Sequence, residues 1–133
     1  METIEIEVRT GDRVVTDLTG EVERFCDGRG DGLAHVFAPH ATAGLALIET
    51  GAGSDDDLVA ALGDLLPRDD RWVHRHGSPG HGADHVLPAL ISPSLSLPVI
   101  GGRPALGTWQ SVVLVDPNRD NPDRTVRLSF LPA

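Results

Sequence analysis

The chain has 133 residues, a formal charge of −9 and about 40% apolar side chains, which suits a single domain over 1–133 with one hydrophobic core. The acidic balance leaves no basic stripe of the kind that nucleic acid or an anionic membrane surface requires, so neither is expected as a partner. No apolar run approaches the ~20 residues that cross a bilayer. Residues 1–5 carry no signal-peptide pattern, and Cys26 is the only cysteine, so a cytoplasmic protein without an intramolecular disulfide is expected.

Ile4, Ile6 and Val8 alternate with Glu5, Glu7 and Arg9, a half-buried strand. Val14 and Val15 lead into Leu18, Val22 and Phe25, whose spacing predicts a short amphipathic helix stopped near Gly28 and Gly30. Leu33 to Ala38 and Leu45 to Ile48 read as buried strands, with Pro39-His40 ending the first and Glu49 ending the second. Ser54 is the expected N-cap of a helix whose first turn holds Asp55, Asp56 and Asp57, where carboxylates complement the helix dipole. Leu58, Val59, Leu62, Leu65 and Leu66 form its apolar stripe and Pro67 ends it.

Arg71 to His76 reads as a strand and Gly77 to Gly80 as a loop. A short helix is placed from about Asp84, which puts Pro88 in its first turn. Ser96 to Ile100 is a strand, Gly101-Gly102 a turn, and Thr108 to Asp116 a long apolar strand. Alternation of Val126, Leu128 and Phe130 gives a final half-buried strand. Seven or eight strands with two or three short helices, lacking regular βαβ alternation, predict an α+β fold, a compact sandwich of largely antiparallel sheets.

Six histidines dominate the chemistry available. His74 and His76 share a face on a strand, and His81 and His85 share a face if one helix carries both, which Gly82 argues against. His81, in a glycine-rich stretch, reads as a solvated side chain. Three imidazoles with one open position make a zinc-type catalytic site, but spacing does not select which three. Glu49 is placed to act as a general base, a metal ligand or an orienting partner of a histidine. Gln110, in an otherwise apolar run, needs hydrogen-bond partners if buried. Cys26, between Phe25 and Asp27 at a helix end, reads as an inert thiol.

The stretch Ser94-x-x-Leu97-x-Val99-x-x-Gly102, followed by Gly107-Thr108-Trp109-Gln110-x-Val112, resembles the hallmark of the YjbQ family, also called secondary thiamine-phosphate synthases. The run from Pro39-His40-Ala41-Thr42-Ala43 to Glu49 resembles the family's His-Thr-Thr-Ala…Glu segment, and Trp72-Val73-His74 with His85 eleven residues later resembles its paired histidines. The resemblance spans about residues 33 to 131. It implies a homotrimer whose His40, His74 and His85 converge on a pocket that holds a divalent metal (zinc or magnesium) or an anion. His76 and His81 fall outside that set. Glu49 would join the three histidines in catalysis. Thr42, Thr108, Trp109, Gln110 and Arg124 would bind a small phosphorylated metabolite. Ala41, Ile48 and Ala52-Gly53 depart from the family pattern near Glu49, as does the run Asp116-Pro117-Asn118-Arg119.

The activity implied by resemblance joins a pyrimidine pyrophosphate to a thiazole phosphate, releasing pyrophosphate. The alternatives are a metal-dependent hydrolase and a non-catalytic module that binds a metal or a phosphorylated metabolite.

Overall fold

The computed structural model describes residues 1–133. Its strands are β1 (Glu2–Arg9), β2 (Val15–Asp17), β3 (Gly32–Phe37), β4 (Gly44–Ile48), β5 (Ser94–Ile100), β6 (Arg103–Pro104), β7 (Ser111–Val115) and β8 (Asp123–Pro132). The helices are α1 (Thr19–Cys26), α2 (Ser54–Leu65) and α3 (His81–Leu90). All pairings are antiparallel, in a five-stranded sheet ordered β1-β8-β3-β5-β6 and a three-stranded sheet ordered β2-β7-β4. The α+β sandwich expected from the sequence is the one observed, and no helix is long and apolar enough to cross a membrane.

Strand β7 explains the layering. Val112 and Leu114 point into a core shared with the large sheet and α1, against Val36, Val126, Leu128 and Val22. Val113 and Val115 point the other way, into a second cluster with Leu62 and Leu66 at α2 and Ala83 and Leu87 on α3. Residues 112–115 are fully buried, so this strand shows the continuous apolar run of an element covered on both faces. Alternating β8 has one face in the core, burying Val126, Leu128 and Phe130. The small sheet is therefore the middle layer, with α2 and α3 outside it.

Several elements differ from expectation for identifiable reasons. Val15 pairs with Val115, so the segment before Leu18 is a strand, and α1 starts only at Thr19, whose N–H is accepted by the Asp17 carboxylate. Gly53, in the left-handed conformation, takes the cap position of α2 and Ser54 becomes the first helical residue. Of the predicted stripe on α2, Leu62 and the adjoining Leu66 are buried, while Leu65 is 66% exposed. The Gly107-Thr108-Trp109-Gln110 run forms a turn, closed by Gln110 N–H to Gly107 O and by Gly107 N–H to Gln110 Oε1, so β7 begins at Ser111. Gln110 is exposed and spends its amide oxygen on that turn.

Residues 71–76 form no strand. Their polar groups are satisfied locally: Arg71 N–H donates to Asp69, Trp72 Nε1–H to Pro67 O, and Arg75 Nε–H to Trp72 O. α3 runs unbroken through Gly82 and begins at His81, so Pro88 lies near its C-terminal end. A Cβ at Gly82 would come within 3.0 Å of His74 O and of Trp72 Cβ. Glycine there lets the 72–74 segment lie directly on the helix.

Candidate metal centre

His81 and His85 are four residues apart on α3, hence on one face, and their Nε2 atoms are 2.9 Å apart. The segment held against Gly82 brings the His74 ring to 4.2 Å from that of His85 and 5.4 Å from that of His81, centroid to centroid. One ring nitrogen from each of His74, His81 and His85 lies within 4.8 Å of the other two. His76 stands alongside, its ring 4.0 Å from His74 and 4.8 Å from His81, but it does not complete that set. An open cleft of about 410 Å³ runs past Asp69, Asp70, His74, Arg75, His76 and His81.

The electrostatics favour neutral rings. Loss of solvation, reinforced by the neighbouring histidines, holds the His74 and His85 imidazolium pKa values below the ordinary value. A neutral imidazole keeps the lone pair that a metal needs. The donor set is all nitrogen, which suits zinc and its borderline neighbours; magnesium prefers oxygen ligands. Two nitrogens at about 2.05 Å from a tetrahedral zinc would stand about 3.3 Å apart. The observed 2.9 Å is a hydrogen-bonding distance; this pair would open by a few tenths of an ångström, and the wider His74 spacing, within 4.8 Å, would close, to reach the metal-bound arrangement.

Behind the rings lies a polar network. His81 Nδ1 is 3.1 Å from Asp120 Oδ2 and 3.1 Å from Asn118 Nδ2. Asn118 is buried; its Oδ1 accepts from Asp120 N–H at 2.9 Å, and its Nδ2 also donates to Asp84 Oδ2 at 3.1 Å. Asp84, 1% exposed, is paired with Arg68. Asn118 N–H donates to Asp116 Oδ1, and Asp116 receives Arg124 Nε–H at 2.5 Å in a buried ion pair. Arg124 also donates to Thr42 Oγ1 at 3.0 Å. This network ties the loop after β7 to α3 and to the turn after β3.

His74 and His85 therefore meet, and the third member of their set is His81. His40 sits elsewhere: its Nε2 lies 2.9 Å from Thr125 O and 3.0 Å from Thr125 N. The register Phe37↔Arg127 would next bring Pro39 opposite Thr125, and proline has no N–H to offer. The His40 ring takes over that end of the ladder. Burial holds its pKa below the ordinary value, with Arg124 and Arg127 adding to the effect. Thr42 and Arg124 are buried partners of each other, whereas Thr108, Trp109 and Gln110 face solvent, Trp109 with 73% of its surface exposed. Glu49 follows β4 and is half-buried.

Sequence reasoning passed over His81, Asn118 and Asp120. The signal for His81 was its four-residue spacing from His85, discounted because Gly82 lies between. For the other two it was the Asp116-Pro117-Asn118-Arg119 run, noted only as a departure.

An antiparallel α+β sandwich with a histidine cluster at the foot of a surface helix defines the class of protein. The chain belongs to the YjbQ-like UPF0047 family, whose model matches residues 2–133. It is 63% identical to the UPF0047 protein Rv2556c of Mycobacterium tuberculosis over 131 residues, covering 98% of each chain. It is 33% identical to the UPF0047 protein YugU of Bacillus subtilis, covering 84% of this chain and 85% of the relative. A crystal structure of an Aeropyrum pernix K1 protein superposes with a TM-score of 0.89 at 35% identity, covering 100% of both chains.

Proposed function

We propose that the chain holds a zinc-type divalent metal on His74, His81 and His85 and uses it on a small phosphorylated metabolite. The observation that carries this reading is the convergence of three ring nitrogens within 4.8 Å, on rings two of which have their imidazolium pKa held below the ordinary value by loss of solvation. A bound zinc would polarise a phosphoryl oxygen or lower the pKa of a water. The side chains would do the rest. α3 fixes two imidazoles rigidly, and Arg75 in the cleft supplies positive charge toward an anion. Asp69 is engaged by Arg71 and adds little net repulsion.

The finer reading, transfer of a pyrimidine group from its pyrophosphate to a thiazole phosphate, rests on the family likeness, as does a homotrimer. The exposed Trp109 indole offers a face on which a flat heterocycle would stack.

The test is zinc content of untagged protein purified without chelator, followed by two assays on the loaded protein. One measures pyrophosphate release from the paired thiamine precursors and the other phosphate release from a monoester. About one zinc per chain, lost in a His81→Ala/His85→Ala double variant that still folds, with turnover in either assay, is expected. Absence of zinc uptake overturns the reading. Zinc uptake without turnover in both assays leaves a binding module and overturns the catalytic part.

A further inference from the structure

The loop after β7 places two groups of opposite demand on a single atom. His81 Nδ1 has Asp120 Oδ2 at 3.1 Å and Asn118 Nδ2 at 3.1 Å. A carboxylate there requires Nδ1 to carry the proton and donate; an amide N–H there requires Nδ1 to be bare and accept. Asn118 cannot turn to relieve the conflict. Its Oδ1 is held by Asp120 N–H and its Nδ2 by the buried, Arg68-paired Asp84 carboxylate. Asp120 is likewise held in place, since Ser78 N–H reaches the same Oδ2 at 3.4 Å.

We infer that Asp120 is the positioning residue that selects the metal-competent tautomer of His81, and that Asn118 is a built-in competitor for the other tautomer. This rests on the metal-binding reading above. A hydrogen bond to a carboxylate is roughly twice as strong as one between neutral groups, so Asp120 prevails. The ring carries its proton on Nδ1 and turns the Nε2 lone pair toward His85 and His74. The 2.9 Å contact between the two Nε2 atoms is then His85 Nε2–H donating to His81 Nε2. On metal loading the His85 proton moves to that ring's other nitrogen by exchange with solvent, and both rings stay neutral.

The arrangement makes the site more sensitive to loss of Asp120 than an ordinary orienting contact would be. Without the carboxylate, Asn118 is left as the sole partner of Nδ1 and draws the ring into the Nε2–H form, in which the lone pair faces away from the cluster. Loss of an outer partner of a metal-bound histidine usually costs about 10–100-fold in affinity, and Asp120→Ala is expected at the upper end of that range.

The experiment titrates zinc against a chromophoric chelator on the full chain, wild type beside Asp120→Ala and Asp120→Glu. His81 ring nitrogens are followed in parallel by long-range proton–nitrogen NMR. The side chain of Asp120 is 38% exposed, so both variants should fold as wild type does. The expected result is weakened zinc binding in Asp120→Ala, substantial recovery in Asp120→Glu, and a change of His81 in metal-free Asp120→Ala from the Nδ1–H to the Nε2–H tautomer. Wild-type zinc binding with unaltered affinity in Asp120→Ala, or an unchanged tautomer, overturns this inference and spares the metal-binding reading. Failure of the wild type to take up zinc overturns both.

Discussion

Replacing Gly82 with alanine tests how the histidine cluster is assembled. The added Cβ would stand under 3.0 Å from His74 O and Trp72 Cβ, where ordinary contact begins at 3.4 Å. The 72–74 segment must therefore retreat by more than about 0.4 Å, carrying His74 away from His81 and His85. Two energies oppose one another. Alanine in a helix interior gains about 1 kcal/mol over glycine, and overpacking costs about 1–3 kcal/mol. The net expectation is a loss of up to roughly 2 kcal/mol, or up to ~8 °C in Tm at ~4 °C per kcal/mol. Zinc affinity should fall by tenfold or more. Gly63→Ala is the matched control: it lies within α2, where an added Cβ meets nothing within 4 Å. It should raise Tm by ~2–4 °C and leave zinc binding unchanged. The assay pairs thermal unfolding without metal with zinc titration of all three proteins. A Gly82→Ala protein that gains stability as Gly63→Ala does, and binds zinc normally, would refute the account of the 72–74 segment as held by a glycine-only contact.

The buried Arg124–Asp116 pair should be far more costly to break than any exposed pair, because one charge is left uncompensated. Asp116→Asn is expected to lose ~3–5 kcal/mol in urea unfolding, and a loss under about 1 kcal/mol would contradict the burial argument. His40→Ala removes the ring nitrogen that serves the Thr125 backbone, as donor to its C=O or acceptor from its N–H according to tautomer, and should cost ~1–3 kcal/mol, with zinc content retained; loss of zinc alone, at unchanged stability, would place His40 among the ligands. Because burial depresses the His40 pKa, the unfolded chain binds the proton more readily than the folded one. Its contribution should be intact above about pH 6.5, fall as the pH drops below that toward the depressed folded value, and then level off. His40→Gln should flatten that part of the stability curve, and an identical pH profile would count against the assignment.

Elements with a strong repeating pattern were legible in the sequence. The apolar run read as a strand from Thr108 to Asp116 does hold β7, although the strand starts at Ser111 and its burial on both faces is seen only in the fold, and the alternation through β1 and β8 set which side of each meets the core. The acidic first turn of α2 marked its start. What escaped depended on contacts distant in sequence. Gly82 is a poor helix former by itself, and only the approach of Trp72 and His74 shows why α3 continues through it. His40 looked like a ligand by resemblance, yet its surroundings are set by Pro39 lacking an N–H opposite Thr125. The amide and carboxylate behind His81 come from a loop more than thirty residues away, which no local spacing connects to α3.

Strand β1 lies at the rim of the large sheet, paired along all eight residues with β8 and pinned by Glu5–Arg127, Arg9–Asp123 and Glu2–Arg29. Only Val8 of this strand is buried, so its removal would take little from the core. It would instead strip one side of β8, a ten-residue strand, of its backbone partners. The acidic, charge-studded margin would become a long bare edge able to recruit strands from other molecules. Deleting residues 1–9 is therefore expected to raise aggregation more than it lowers the stability of the remaining core.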